Sequence, residues 1–174
     1  GLRRDHMMLT ATHTHSGPIV KPFNPCCYGV APENLPAIDR YTEKVIASSV
    51  AVIRAAWADL QPVRLEFGQG FCGLGVNRRR SRPGSRHFPG PVDQDVPVLV
   101  AREASGKVKG IICGYACHAT SLSINKVSGD WPGFAQTEVE KMYPEAVCLF
   151  VPGCGADINP LPRMMPQEVY SAFG

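Results

Sequence analysis

The chain has 174 residues, of which 44% are hydrophobic and 19% charged, and its formal net charge is +3. That is enough apolar content for one compact core and too balanced a composition for a disordered chain. The positive charge gathers in Arg78-Arg79-Arg80 with Arg82 and Arg86 nearby. With no aromatic residues between them, the arginines argue against a nucleic-acid surface; they read as a local contact for an anionic or polar ligand, or as a solvated loop.

Residues 6–12 predict a buried strand that includes the apolar run Met7-Met8-Leu9. His13 and His15 follow it, and strand alternation places both imidazoles on one side of the backbone. Ser16-Gly17-Pro18 then turns the chain away. Residues 16–36 form a Pro/Gly/Asn-rich loop, long enough to be functional. Residues 36–60 predict a helix, capped by Asn34, with Pro36 in its first turn. Its broad apolar face holds Ile38, Val45, Val52 and Trp57, and Asp39, Arg40, Glu43, Lys44 and Arg54 lie opposite. Gln61-Pro62 stops it.

Residues 63–67 alternate as a strand, 68–75 are glycine-rich, and 79–91 form a polar loop. Residues 96–102 and 107–116 are strands joined at Ser105-Gly106, a hairpin. Asp130 caps a second helix that runs to about residue 143, with Pro132 in its first turn. Residues 146–151 are wholly apolar, which predicts a central strand buried on both faces. Pro166-Gln167-Glu168 opens a further helix. This order predicts an α/β fold, a mixed β-sheet flanked by helices. The chain lacks an initiator Met, strand-like residues begin close to Gly1, and the last helix has no room to finish before Gly174. It reads as a single partial domain spanning 1–174, internal to a larger protein. No apolar stretch reaches membrane-spanning length, and no signal peptide is visible.

The seven cysteines contain no Cys-x-x-Cys pair, and their odd number excludes full pairing within the chain. Cys113 and Cys148 read as buried core thiols, whereas Cys26-Cys27 sit in the Pro-rich loop.

Several residues at strand ends carry chemistry: His13, Asn77, His118 and Asp157. The pair His13 and His15 makes half of a zinc site, or an ordinary strand end with two half-exposed histidines. His118, in Tyr115-Ala116-Cys117-His118-Ala119-Thr120-Ser121, leaves another apolar strand. Asp130, in Gly129-Asp130-Trp131-Pro132-Gly133, is placed to cap its helix or orient a histidine. In Gly155-Ala156-Asp157-Ile158-Asn159-Pro160, glycine beside Asp and Asn lets the backbone approach a ligand closely. Taken singly, each of these is also a tight turn with a local cap.

Their order is distinctive. Thr12-His13-Thr14-His15-Ser16-Gly17-Pro18, then Val76-Asn77-Arg78, His118-Ala119-Thr120, Gly129-Asp130 and the turn at 155–160 resemble the N-terminal catalytic domain of neutral/alkaline non-lysosomal ceramidases. The resemblance covers nearly the whole chain. It implies a zinc (Zn2+) enzyme that hydrolyses the amide of N-acylsphingosine to a fatty acid and a sphingoid base. His13 and His118 match metal ligands of that family. His15 matches a histidine in a supporting or proton-handling role, and Arg78 an arginine facing the site. A glutamate and a tyrosine that complete the family's ligand set lie beyond this chain. The family's late turn carries a serine needed for activity where this chain has Asn159. Asn donates a hydrogen bond to an oxyanion but supplies no alkoxide, which favours an amidase divergent in substrate. Asp157 and Asp130 then orient neighbouring groups rather than bind metal.

The resemblance implies a small-molecule or lipid amide substrate, with peripheral membrane contact left open, and a secreted, periplasmic or cell-surface location. Three other readings stay open: a catalytically silent homologue binding lipids or glycans, a metal-dependent amidohydrolase barrel, and a purely structural fragment. The barrel needs eight strand–helix repeats, which the run of strands after the long helix fits poorly. Oligomeric state is not legible.

Overall fold

The computed structural model describes residues 2–24, 27–79 and 90–163. Two compact units emerge: Gly17–Pro62, and the residues up to Ser16 together with those from Val63 onward.

The smaller unit is built on helix α1, Leu35–Ala58, which continues directly from a 3-10 turn at Pro32–Asn34. Pro36 lies in its first turn, as expected. Asn34 does not cap it. Its own backbone is helical, with φ −87 and ψ −15, and its side chain makes no capping bond. A cap needs extended backbone to bring its oxygen over the first free N–H groups, and the preceding 3-10 turn has already committed Asn34 to the helical path. Ile38 is the buried residue of this helix, while Val45, Val52 and Trp57 of the predicted apolar face are exposed. Thr42 Oγ1 accepts from Lys21 N (3.0 Å) and donates to Ile38 O (2.8 Å), which fastens the preceding loop to the helix.

The larger unit holds a four-stranded sheet in the order β1-β3-β4-β5 and a two-stranded sheet of β2 and β6. The strands are β1 Arg64–Phe71, β2 Gly75–Asn77, β3 Asp95–Arg102, β4 Val108–Tyr115, β5 Val147–Pro152 and β6 Ile158–Pro160. Helix α2, Asp130–Met142, crosses between β4 and β5, which run parallel; the β1–β3 and β3–β4 pairs are antiparallel. This is the α/β architecture expected from the element order. The β3–β4 hairpin turns at Gly106, whose φ of 90 is a conformation that favours glycine. β1 runs further than predicted, through Gly68 and Gly70 to Phe71, because β3 supplies a partner for every residue of it.

Two expected strands turn out differently. Residues 6–12 form no strand: Arg4–His6 is a 3-10 turn, and Met8 and Leu9 are 74% and 87% exposed. Met and Leu lack the branched Cβ that favours extended chain, and an apolar run becomes a strand only where a sheet edge takes up its N–H and C=O groups. Here Thr14 alone makes a bridge, with Ala119. β5 is an edge strand of the described sheet, not a central one. Cys148 and Phe150 point inward and are buried, whereas Val147 and Leu149 are exposed. Apolar content by itself does not report which face of a strand is covered.

One core cluster joins Tyr115, Cys117, Trp131, Phe150 and Ile158, and a second joins Val108, Ile111, Ala146 and Cys148. Trp131 meets Phe150 and Tyr115 edge-on, with ring centroids 5.0 and 5.7 Å apart. Each such side chain contributes about 1.5–3 kcal/mol through burial. The Tyr115 hydroxyl accepts from Gly75 N (2.9 Å) and donates to Cys72 O (2.8 Å), tying the small sheet to the large one. Cys148 behaves as the core thiol expected, while Cys113 is only part-buried. Among the described residues no helix is long and apolar enough to cross a membrane.

Candidate histidine centre

The site forms where the segment of residues 12–16 meets the loop leaving β4. Thr14 and Ala119 make a parallel bridge, and the residues that precede them, His13 and His118, come side by side. Thr14 Oγ1 donates to Ser128 O (2.7 Å) and accepts from Ser16 N (3.2 Å), and Ser128 N donates to Ser16 O (2.9 Å). His13 itself sits at φ 58, a left-handed backbone that His tolerates better than most residues. It does not emerge from a strand as expected; the single bridge at Thr14 does the positioning.

The ring centroids of His13 and His118 lie 4.8 Å apart, those of His13 and His15 4.9 Å, and those of His15 and His118 5.6 Å. His13 Nε2 and His15 Nε2 are 3.2 Å apart. One nitrogen from each of the three histidines lies within 4.8 Å of the others. His118 is buried, and its Nδ1 faces the carbonyl oxygens of Gly155 (2.7 Å) and Ile158 (3.2 Å). Carbonyls only accept, so the proton sits on Nδ1 and the lone pair on Nε2. His118 N donates to Ile158 O (3.0 Å) and Trp131 Nε1 to His118 O (2.8 Å). Burial, and then the neighbouring imidazoles and the Arg78 guanidinium, hold the His13 and His15 pKa values below the ordinary histidine value. The shift favours the neutral ring, the form that ligates metal.

Gly155 is required by close approach. A Cβ there would lie 2.6 Å from the Ala116 carbonyl carbon and 2.8 Å from Cys117 Cα.

Asp130 takes a different role from the one expected. It is the first residue of α2, at φ 56, and its carboxylate neither caps the helix as an N-cap nor touches a histidine. It accepts from Ser121 N (2.9 Å), Leu122 N (2.9 Å) and Trp131 N (2.7 Å), holding the loop that follows His118. Asp157 accepts from Asn77 Nδ2 (3.0 Å), and its carbonyl accepts from Arg78 N (2.7 Å), so it fixes the start of the arginine run rather than a ring. Asn159 is buried, with no partner for its Oδ1. Arg78 lines a cleft of about 430 Å³ with Arg79, His13, His118 and Cys154. An apolar groove along the sheet, bordered by Phe67 and Ile112, shares Pro152 and Gly153 with that cleft. Arg80, Arg82, Arg86, Phe88, Cys26 and the helix start at position 166 lie outside the described residues.

Sequence reading passed over Thr14 and Trp131, which position the histidines, and gave Gly155 close approach to a ligand, where the structure shows close approach to the Ala116 and Cys117 backbone. The signal was present only for Thr14, the polar residue between the two histidines.

Fold and site together define an α/β protein with a histidine cluster able to hold a metal. The chain belongs to the neutral/alkaline non-lysosomal ceramidase family, whose N-terminal domain it matches over residues 2–151. It is 31% identical over 143 residues to the neutral ceramidase of Pseudomonas aeruginosa, covering 75% of this chain and 20% of that protein. The crystal structure of a neutral ceramidase from the same organism superposes with a TM-score of 0.60 at 24% identity, covering 73% of this chain and 22% of the other. A ceramidase complexed with C2 gives a TM-score of 0.64 at 26% identity, covering 87% and 25%. The chain thus spans about a fifth to a quarter of the length of these relatives.

Proposed function

We propose that this chain is part of a zinc-dependent hydrolase of a linear amide, related to ceramidases and divergent in substrate. The observation that carries this reading is the meeting of His13, His15 and His118 at one point. The donor set fits zinc: neutral imidazoles suit it, and His118 has the carbonyl partners that orient a ligating ring. His13 and His118 would hold the ion, with ligands from the rest of the protein completing the set. Bound zinc supplies a nucleophile at neutral pH, by lowering the pKa of water to about 7, and a Lewis acid for the carbonyl.

The protein's own groups do the rest. Arg78 and Asn159 donate hydrogen bonds to the oxygen on which negative charge develops. His15, next to His13, passes a proton to the leaving amine. Asp157 holds Asn77 and the backbone of Arg78, and Asp130 holds the chain beyond His118. The apolar groove that meets the cleft at Pro152 and Gly153 suits an acyl chain. The test is zinc content and amide turnover in the complete polypeptide, with His13→Ala and His118→Ala. Both variants should lose stoichiometric zinc and activity; retention of both would overturn the reading.

Asn159, standing where the related ceramidases have serine, favours a second reading: a homologue that binds lipid or glycan without turnover. Full zinc content with no cleavage of any N-acyl amide would select it.

A further inference from the structure

In the hydrolase reading above, on which this inference rests, Arg78 donates to the developing oxyanion, and the side chain just before it is built to aim it. Asn77, the last residue of β2, is 6% exposed. Its Oδ1 accepts from Arg79 N (3.1 Å), and its Nδ2 donates to Pro91 O (3.0 Å) and to the Asp157 carboxylate (3.0 Å). Two acceptors face the nitrogen and a donor faces the oxygen, so this orientation of the amide satisfies all three partners. Arg78 N donates to Asp157 O (2.7 Å), and the next N–H, that of Arg79, is held by Asn77. Both peptide planes beside the Arg78 Cα are thereby pinned, which fixes the direction in which its side chain leaves the backbone. The chain that departs through Arg79 returns at Gly90-Pro91, where the same amide holds Pro91 O. Asn77 thus closes the neck of the arginine loop. Its anchor, Asp157, sits in the turn whose Gly155 and Ile158 carbonyls orient the His118 ring.

The position demands an amide of this size. Asp has the shape but donates nothing, so its oxygens would face Pro91 O and the Asp157 carboxylate. Gln is a methylene longer, and the returning chain already packs so closely that a Cβ on Gly90 would lie 2.5 Å from Asn77 Cγ. Leu fills the space and leaves Arg79 N and Pro91 O without this partner. We propose that Asn77 is a positioning residue: it locks the neck of the arginine loop and so holds the Arg78 guanidinium at the cleft that His13 and His118 line.

The experiment is a double-mutant cycle on the zinc-loaded complete polypeptide, with N-lauroylsphingosine or the N-acyl amide that the parent cleaves fastest. Asn77→Ala should lower kcat about 10–100-fold, leave KM within about twofold and keep stoichiometric zinc, as expected when a transition-state contact is misplaced. In an Arg78→Ala background the same substitution should cost less than about threefold, because its effect runs through Arg78. Equal losses in both backgrounds, or a loss that follows zinc content, would mark a purely structural Asn77; either would overturn the inference and leave the hydrolase reading standing. Should Asn77→Ala not fold, Asp157→Leu removes the anchor at a part-buried position and takes its place in the cycle, with the same pattern expected at a smaller size. Hydrogen exchange resolved to single amides reads the lock without turnover. In Asn77→Ala the Arg79 N–H should exchange about tenfold faster or more, with the amides of β4 unchanged. A parent that cleaves no amide would count against the hydrolase reading, and exchange then decides the lock on its own. An Arg79 rate that stays the same, or that rises together with those of β4, would overturn it.

Discussion

Thr14 and Ala119 form one parallel bridge, and it is this bridge, not a full strand, that brings His13 beside His118. The Thr14 hydroxyl stiffens the arrangement by donating to Ser128 O and accepting from Ser16 N. Thr14→Val keeps the branched shape and removes both bonds. It should cost about 1 kcal/mol of stability and weaken metal binding roughly 10–100-fold, as loss of a supporting partner does. Calorimetric titration of the metal and a melting curve measure the two effects. Thr14→Ser should restore most of the affinity; if Thr14→Val binds metal like the parent, the hydroxyl has no role in the site.

The pH dependence of metal binding follows from the rings. Burial, reinforced by nearby positive charge, lowers the His13 and His15 pKa values. A depressed pKa favours the neutral ring, which is the ligand form. Metal binding should therefore persist as pH falls through about 6.5, where an ordinary histidine is half protonated, and fail only below that. Stability carries the same sign: the unfolded chain takes up these protons first, so the contribution present above about pH 6.5 is lost as pH falls. Zinc titrations and denaturation midpoints at stepped pH would show it. Loss of metal already complete near pH 7 would contradict the shift.

The hairpin at Ser105-Gly106 and the helix over 36–60 were legible because their signals are local: a turn glycine between alternating runs, and a helical period. The family motif marked the histidines, although nothing local could show that residues 13 and 118 meet. That meeting depends on Thr14 finding Ala119, a contact between distant segments. The misread strands failed for the same reason. Met7-Met8-Leu9 is apolar, but no sheet edge receives it, and the apolar run of β5 cannot reveal that Val147 and Leu149 face outward. Asp130 was legible as a helix-start residue. Its actual partners, Ser121 and Leu122, lie across a loop whose path the sequence does not announce.

The thiols should divide sharply in reactivity. Burial pushes Cys117 and Cys148 up to about 12. At pH 8 about one such thiol in ten thousand is ionised, and thiolate is the reactive form. Cys27 and Cys154 are exposed. Alkylation at pH 8 mapped by mass spectrometry should label Cys27 and Cys154 first and leave Cys117 and Cys148 until the fold opens. Because the folded pKa values are raised, the contribution of these thiols to stability is intact below about pH 8.5, the ordinary thiol value. It declines as pH rises toward 12. Equal labelling rates for all four in the native protein would refute this ordering.

Asp130 offers a test that separates backbone conformation from hydrogen bonding. Its side chain is 1% exposed and accepts three backbone N–H groups, from Ser121, Leu122 and Trp131. Its backbone sits at φ 56, where an ordinary side chain costs about 1–2 kcal/mol. Asp130→Ala removes the acceptors and keeps the strain, leaving buried donors unpaired at about 1–3 kcal/mol apiece. Asp130→Gly removes the acceptors and relieves the strain, so it should be the more stable of the two by about 1 kcal/mol. Asp130→Asn keeps one acceptor oxygen and tolerates the left-handed backbone, and should lose least. The expected order of denaturation midpoints is therefore wild type, Asn, Gly, Ala. If Gly matched wild type, strain relief would outweigh the hydrogen bonds, and the carboxylate would not be what holds the loop after His118.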